Sequence, residues 1–223
     1  MNPSLTRALL AWISFLPPAA QGQEPVRFDF EGDAPASVPS GWFVPPAVAG
    51  GYGAEVVAEG AHAGQRCARI FLQDEDAQAP FGNMMRSFDA APYRGKRVGL
   101  TVAIRSGDGA QAQAWMRVDR RDGAVGFFDN MGDRPIRDAD WSVYAITGGV
   151  HADAEFINFG VMLVEGEEVF VDGVTFEVLG DLPEPAPPRP LAERGLANVT
   201  LRSVGFANST APSAFVRATR AAI

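Results

Sequence analysis

The sequence predicts an all-β protein, an antiparallel β-sandwich or jelly roll, and three observations carry that prediction. Short runs in which apolar and polar side chains alternate every two residues recur from position 26 to 179. Glycine or Asp/Asn clusters separate them: SGDG at 106–109, RRDG at 120–123, GG at 148–149 and EGEE at 165–168. No apolar pattern at helical spacing lasts long enough in this region to supply the crossover helices of a parallel sheet.

The predicted strands follow in order. Residues 26–30 (VRFDF) alternate, and 55–57 and 66–72 are short candidates separated by Gly60 and Gly64. Residues 81–88 come next, then 96-KRVGLTVAIR-105, with Val98, Leu100, Val102 and Ile104 on one face. The segment 111-QAQAWMRVD-119 puts Ala112, Ala114, Met116 and Val118 on one face and Gln111, Gln113, Trp115, Arg117 and Asp119 on the other. Residues 141–147, 156–164 and 169–178 complete the set.

Outside this region the composition changes twice. Residues 1–22 read as a secretory signal. A short start with one basic residue precedes the apolar run ALLAWISFL, then Pro17, Pro18 and small residues, with cleavage expected after Gly22. The apolar run is too short to span a bilayer, and no later stretch approaches that length. The expected product is exported and soluble, with a β-sandwich over 23–180. At 181–190 the segment DLPEPAPPRP holds five prolines, which fix φ repeatedly and mark an extended linker. The tail 191–223 is too short for an independent core.

Composition excludes several functions. The hydrophobic fraction of 47% is enough for a core, and the formal net charge of −8 argues against nucleic acid or an anionic membrane as partner. Cys67 is the single cysteine, so neither an intrachain disulfide nor a thiolate zinc site is expected. The two histidines, His62 and His151, lie in no metal-ligand spacing, and no GxSxG, GxGxxG or P-loop occurs. Asp and Glu are plentiful, but nothing in the sequence pairs two of them across a cleft as glycoside hydrolysis requires.

The region from Trp115 to Tyr144 is richer. Strand alternation holds Trp115, Arg117 and Asp119 on one face, and the expected loop 127-FFDNMGDRPI-136 brings Asp129, Asn130 and Arg134, with Tyr144 following. A flat ring can cover the apolar face of a sugar while planar amide, carboxylate and guanidinium groups bond its hydroxyls. The structural reading is that Arg117 and Asp119 pair on a solvated sheet and that the following loop covers Trp115. Phe127, Phe128 and Trp141 are expected in the core or its lid. Calcium is the one cofactor the residues suggest, with Glu31 at the end of the first strand and Asp172 in the last as candidate ligands. Phe170, Asp172, Val174 and Phe176 share a face by alternation, so Asp172 needs a partner, for which an arginine or a place at the sheet rim are the alternatives.

The order FDFE…P.GW, here 28-FDFEGDAPASVPSGW-42, and the closing strand FVDGVTFEV resemble galactose-binding-like jelly rolls, the fold of many carbohydrate-binding modules. More specifically, YRGKRVGLTVAIRS, AQAWMRVDR and FFDNMGDRPIRDADWSVYAI are similar to a non-catalytic N-terminal domain. It is found in secreted bacterial tail-specific (C-terminal processing) serine peptidases and in erythromycin-esterase-like proteins. The resemblance covers 26–179. Past the linker, 191-LAERGLANVT-200 resembles the first helix leading into such a peptidase, and from 201 onward the pattern is lost. The resemblance implies an accessory domain without its catalytic serine and lysine, from a truncated or frame-shifted chain. Two expectations follow: an exported non-catalytic module binding carbohydrate or a similar polar small molecule, or a structural domain docking on a missing catalytic domain. A residual hydrolase is a third, opposed by the lack of a nucleophile–base pair.

Overall fold

The computed structural model describes residues 23–76 and 78–183. The expected signal segment 1–22, the linker beyond Pro183 and the tail 191–223 lie outside the described residues. Ten strands succeed one another among those residues: β1 (Val26–Phe28), β2 (Tyr52–Val57), β3 (Cys67–Leu72), β4 (Gly82–Asp89), β5 (Lys96–Ser106), β6 (Gln111–Arg120), β7 (Val125–Asp129), β8 (Ser142–Val150), β9 (Ala154–Glu165) and β10 (Glu168–Asp181). A single 3-10 turn, Ala91–Tyr93, joins β4 to β5, and there is no α-helix among the described residues.

The strands form two antiparallel sheets. One runs β2-β3-β10-β5-β8, with β1 also on β10, and is called here the β10 sheet; the other, the β9 sheet, runs β4-β9-β6-β7. Strand β10 pairs with β5 on one side throughout. On its other side it pairs with β3 up to Val171 and with β1 from Val174. The change of partner falls at Asp172 and Gly173, where Gly173 has φ +54° and the register with β5 slips between Asp172 and Thr175. A bulge of this kind moves the following side chains to the opposite face. Val169 and Val171 before it, and Val174 and Phe176 after it, therefore all enter the core. The alternation expected to put Phe170, Asp172, Val174 and Phe176 on one face is broken there.

The core lies between the sheets. Val98, Leu100, Val102 and Ile104 of β5 face Ala112, Ala114, Met116 and Val118 of β6, all buried as the two-residue period predicts. At its centre Phe159 of β9 stacks on Phe176 of β10, with ring centroids 5.6 Å apart and planes 8° from parallel. Trp42 meets Phe159 edge-on at 5.7 Å and Phe28 edge-on at 5.5 Å. The FDF…GW segment thus brings one ring from β1 and one from the β1–β2 connection onto the same aromatic cluster.

Two boundaries differ from the sequence reading. Residues 125–129 form β7 rather than loop, because Phe127 packs inward opposite Val118 and Phe128 pairs with Arg117. Strand β10 continues to Asp181 instead of giving way to linker there. Asp181 forms an ion pair with Lys96 at 2.5 Å, and the amide of Leu182 donates to the carbonyl of Gly95 at 2.8 Å.

Because Phe176 fills the contact between sheets, Phe176→Ala should lower the unfolding free energy by about 3–5 kcal/mol. Val143, 62% exposed on β8, should give less than about 0.5 kcal/mol when changed to Ala. Urea unfolding of both variants compares them, and equal effects would show that the stack does not join the sheets.

Candidate functional site

The outer face of the β9 sheet is built from alternate residues of β4, β9 and β6. Cross-strand pairing sets Asn83, Met162 and Gln113 in one row, Met85, Gly160 and Trp115 in the next, and Ser87, Asn158 and Arg117 in the third. Phe128 of β7 extends the third row, and Phe156 stands beside Asp119 in a fourth. Trp115 is on this face and outside the core cluster, as the alternation predicts. Yet only 7% of it is exposed. Its indole N–H donates to Asn83 Oδ1 at 3.0 Å, so the ring's polar edge is satisfied within the protein. Trp115 is thus a covered support of the face rather than an open stacking platform.

Arg117 and Asp119 pair along β6, with Nε 2.9 Å from Oδ1 and Nη2 donating to Oδ2 at 3.0 Å. Asn158 of β9 donates to the same Asp119 Oδ2 at 2.7 Å. This fork fixes the guanidinium against Asp119 and leaves further N–H donors for solvent or ligand. Two rings flank it: Phe128 is 54% exposed and Phe156 46%. Phe128 thus departs from its expected place in the core or lid, while Phe127 packs against the core as expected. Phe156 and Asn158 were missed, although the period-2 spacing in AEFINFG places them on one face.

Asp129, Asn130 and Arg134 build the loop after β7. Strand β7 leaves the sheet at Asp129 opposite Met116, and the chain returns to β6 at Ile136 opposite Ala112. The loop therefore flanks β6 at Trp115. Arg134 bonds Asp129 at 2.5 Å, the Met131 amide donates to Asp129 at 2.9 Å, and Asn130 accepts from the Gly132 amide at 3.1 Å. Burial opposes ionisation of Asp129, but Arg134 and the Met131 amide outweigh it and hold its carboxyl below the ordinary range. These side chains fix the loop's shape. Tyr144 belongs to the other sheet, opposite Val102, with its ring against the core. Its hydroxyl bonds Asp138, and burial together with that carboxylate pushes its pKa up to about 12. The structure does not bring Tyr144 to the Trp115 face.

Glu31 and Asp172, the candidate calcium ligands, hold one loop. Glu31 Oε1 accepts the amides of Gln65 and Arg66 at 2.7 and 2.9 Å. Asp172 accepts the amides of Ala63 and Gly173 at 3.0 and 2.6 Å. Amide hydrogens aimed at a carboxylate satisfy it and disfavour a cation in the same place. No group of three or more His, Cys, Asp or Glu side chains among the described residues is placed to hold a metal ion. The partner that buried Asp172 requires is supplied by backbone amides rather than by an arginine. Burial raises the Asp172 carboxyl above its ordinary range, and the amides of Ala63 and Gly173 offset this only in part.

No family model matches the chain. A curated relative, the uncharacterized HTH-type transcriptional regulator YbfP of Bacillus subtilis (strain 168), is 42% identical over 100 residues, 44% of this chain. The match spans about a third of that relative's length (34%). Among solved structures, the CBM22-1 xylan-binding domain of Paenibacillus barcinonensis Xyn10C superposes with a TM-score of 0.54 at 16% identity, covering 74% of this chain and all (100%) of that one. A xylan-binding domain from CBM 22 gives 0.52 at 14% identity, covering 74% and 100%. The C-terminal family 22 carbohydrate-binding module of Clostridium thermocellum Xyn10B gives 0.51 at 14% identity, covering 71% and 95%. The fold is therefore the β-sandwich jelly roll of such modules.

Asp172 gives a test of the loop anchor. Its folded pKa is raised, so its contribution to stability is complete below the ordinary value of 3.8 and is lost as pH rises through the folded value. Urea unfolding across that window, with chelator present, should show Asp172→Asn removing this downward component. A wild-type-minus-variant difference that does not change with pH would refute the assignment.

Proposed function

We propose that this domain is an exported, non-catalytic carbohydrate-binding module whose ligand lies across the outer face of the β9 sheet. The observation that carries the reading is the Arg117–Asp119–Asn158 cluster, fixed by its own hydrogen bonds and flanked by the exposed rings of Phe128 and Phe156. Sugars need this combination: rings for their C–H faces and rigid planar groups for their hydroxyls. The likeness to xylan-binding modules supports the ligand class, and the apolar run before residue 22 supports export. A fold by itself assigns no ligand, so the site residues carry the specificity argument.

Preorganisation supports the same reading. A guanidinium already held in a bidentate fork loses little rotamer freedom when a hydroxyl adds to its remaining donors. Xylan, a neutral polymer of hydroxyl-bearing rings, is the first ligand to try.

The expected result is retention of the chain on xylan in affinity gels, weakened by about 1–3 kcal/mol in Phe156→Ala if the ring stacks as aromatic platforms do on bases. Arg117→Gln should weaken retention as well. Trp115→Ala should instead lower stability, as a supporting ring would. Retention unchanged in both Phe156→Ala and Arg117→Gln would remove this surface from the reading and leave docking on a catalytic domain in its place.

A further inference from the structure

The opposite face of the sandwich carries a second set of planar and aromatic groups. On the outer side of the β10 sheet, cross-strand pairing sets Glu55, Arg69, Phe170 and Arg105 in one row across β2, β3, β10 and β5. Its two arginines are treated differently. Arg69 lies 3.1 Å from Glu55 and 2.7 Å from Glu168, with its guanidinium over the Phe71 ring. Arg105 forms no ion pair among the described residues. Its guanidinium is stacked 4.1 Å from the centroid of Phe170 and 5.5 Å from that of Trp141.

Arg105 lies in a shallow, open cleft of about 440 Å³ that Arg69, Glu59 and Glu168 also line, with Val57 and Phe170 as apolar surface. That size falls within the range of ligand sites, roughly 300–1,000 Å³. The cleft wall is fixed: Trp141 Nε1 donates to the Gly60 carbonyl at 3.0 Å, and Glu31 and Asp172 hold the same loop further along. Phe170 and Trp141 restrain the guanidinium without using its N–H donors.

We infer that this cleft is a second saccharide site, with Arg105 donating to and Glu59 and Glu168 accepting from neighbouring hydroxyls of one sugar ring. A hydroxyl both donates and accepts, so a vicinal diol can bridge a donor-only guanidinium and an acceptor-only carboxylate. The lining holds two arginines and two carboxylates, with Arg69 already paired to Glu168, so its formal charges balance and suit a neutral sugar rather than an anion. The ligand class rests on the preceding reading of the domain; the location does not. Two sites on opposite faces would let one domain bridge two polysaccharide chains, raising its avidity for a polymer over a short oligomer.

The test titrates the isotope-labelled full chain with hexasaccharides of xylan, glucan and mannan, using calorimetry for stoichiometry and amide shifts for location. The expected result is two sites per chain, with shifts at Gly60 and Phe170 as well as at Phe156 and Asn158. Arg105→Gln should weaken the first group by about tenfold or more and leave the second unchanged. A single site, lost in Phe156→Ala and indifferent to Arg105→Gln, would overturn the second cleft while keeping the β9-sheet reading. Binding lost only in Arg105→Gln would keep the cleft and overturn that reading. No shift at Gly60 or Phe170 with any of the three sugars overturns the cleft, even if Arg105→Gln fails to fold.

Discussion

The contact between Phe159 and Phe176 joins the two sheets, and the rest of the structure depends on it. Phe159 belongs to the strand that orders the β9 sheet, and Phe176 to the strand shared by β1, β3 and β5. Stacking them sets the separation and relative position of both sheets, and Trp42, Phe28 and Phe88 close around the pair. Inward positions are then decided by packing, where volume matters most. Outward positions escape that constraint, so each face can carry its own chemistry.

Strand β10 holds its place in the sheet only by changing partner midway. The bulge at Asp172 and Gly173 lets Val171 and Val174 both point inward, and it leaves a carboxylate 1% exposed at the break. A lone charge there would be expensive. The loop from Gly60 to Arg66 resolves this by presenting amides to Asp172 and, further on, to Glu31. The same loop forms one wall of the cleft over Arg105. A defect of strand pairing and the shape of a surface cleft therefore share one cause.

What was legible in the sequence was what depends on near neighbours along the chain. Alternation identified β5, β6 and β9 and separated Met116 from Trp115 correctly, because a strand's period survives whatever packs on it. It failed at β10, where one extra residue inverts the pattern and only the pairing with β5 reveals it. It also missed β7, a short edge strand following the glycine turn at Gly123, whose register with β6 slips at Gly126. Tyr144 closes the same aromatic and polar stretch that begins at Trp115, but the connection after Ile136 carries the chain into the other sheet. The burial of Trp115 was illegible because Asn83, which takes its N–H, lies 32 residues earlier.

The two faces use arginine in opposite ways, and the difference follows from their strands. On β6, Arg117 and Asp119 are two residues apart on one side of the same strand, so the pair forms locally and the guanidinium is neutralised before any ligand arrives. On the β10 sheet the carboxylates stand in the neighbouring strands, and Arg69, between Glu55 and Glu168, takes both. Arg105 is two strands across from Arg69, where Phe170 is its neighbour on one side and Trp141 comes over it from beyond β8's first residue. Aromatic rings hold a guanidinium in place but accept none of its hydrogens in the plane, where its donors lie. A paired arginine adds a few donors to a prepared surface, whereas one held only by rings keeps its hydrogen-bonding capacity for what enters the cleft.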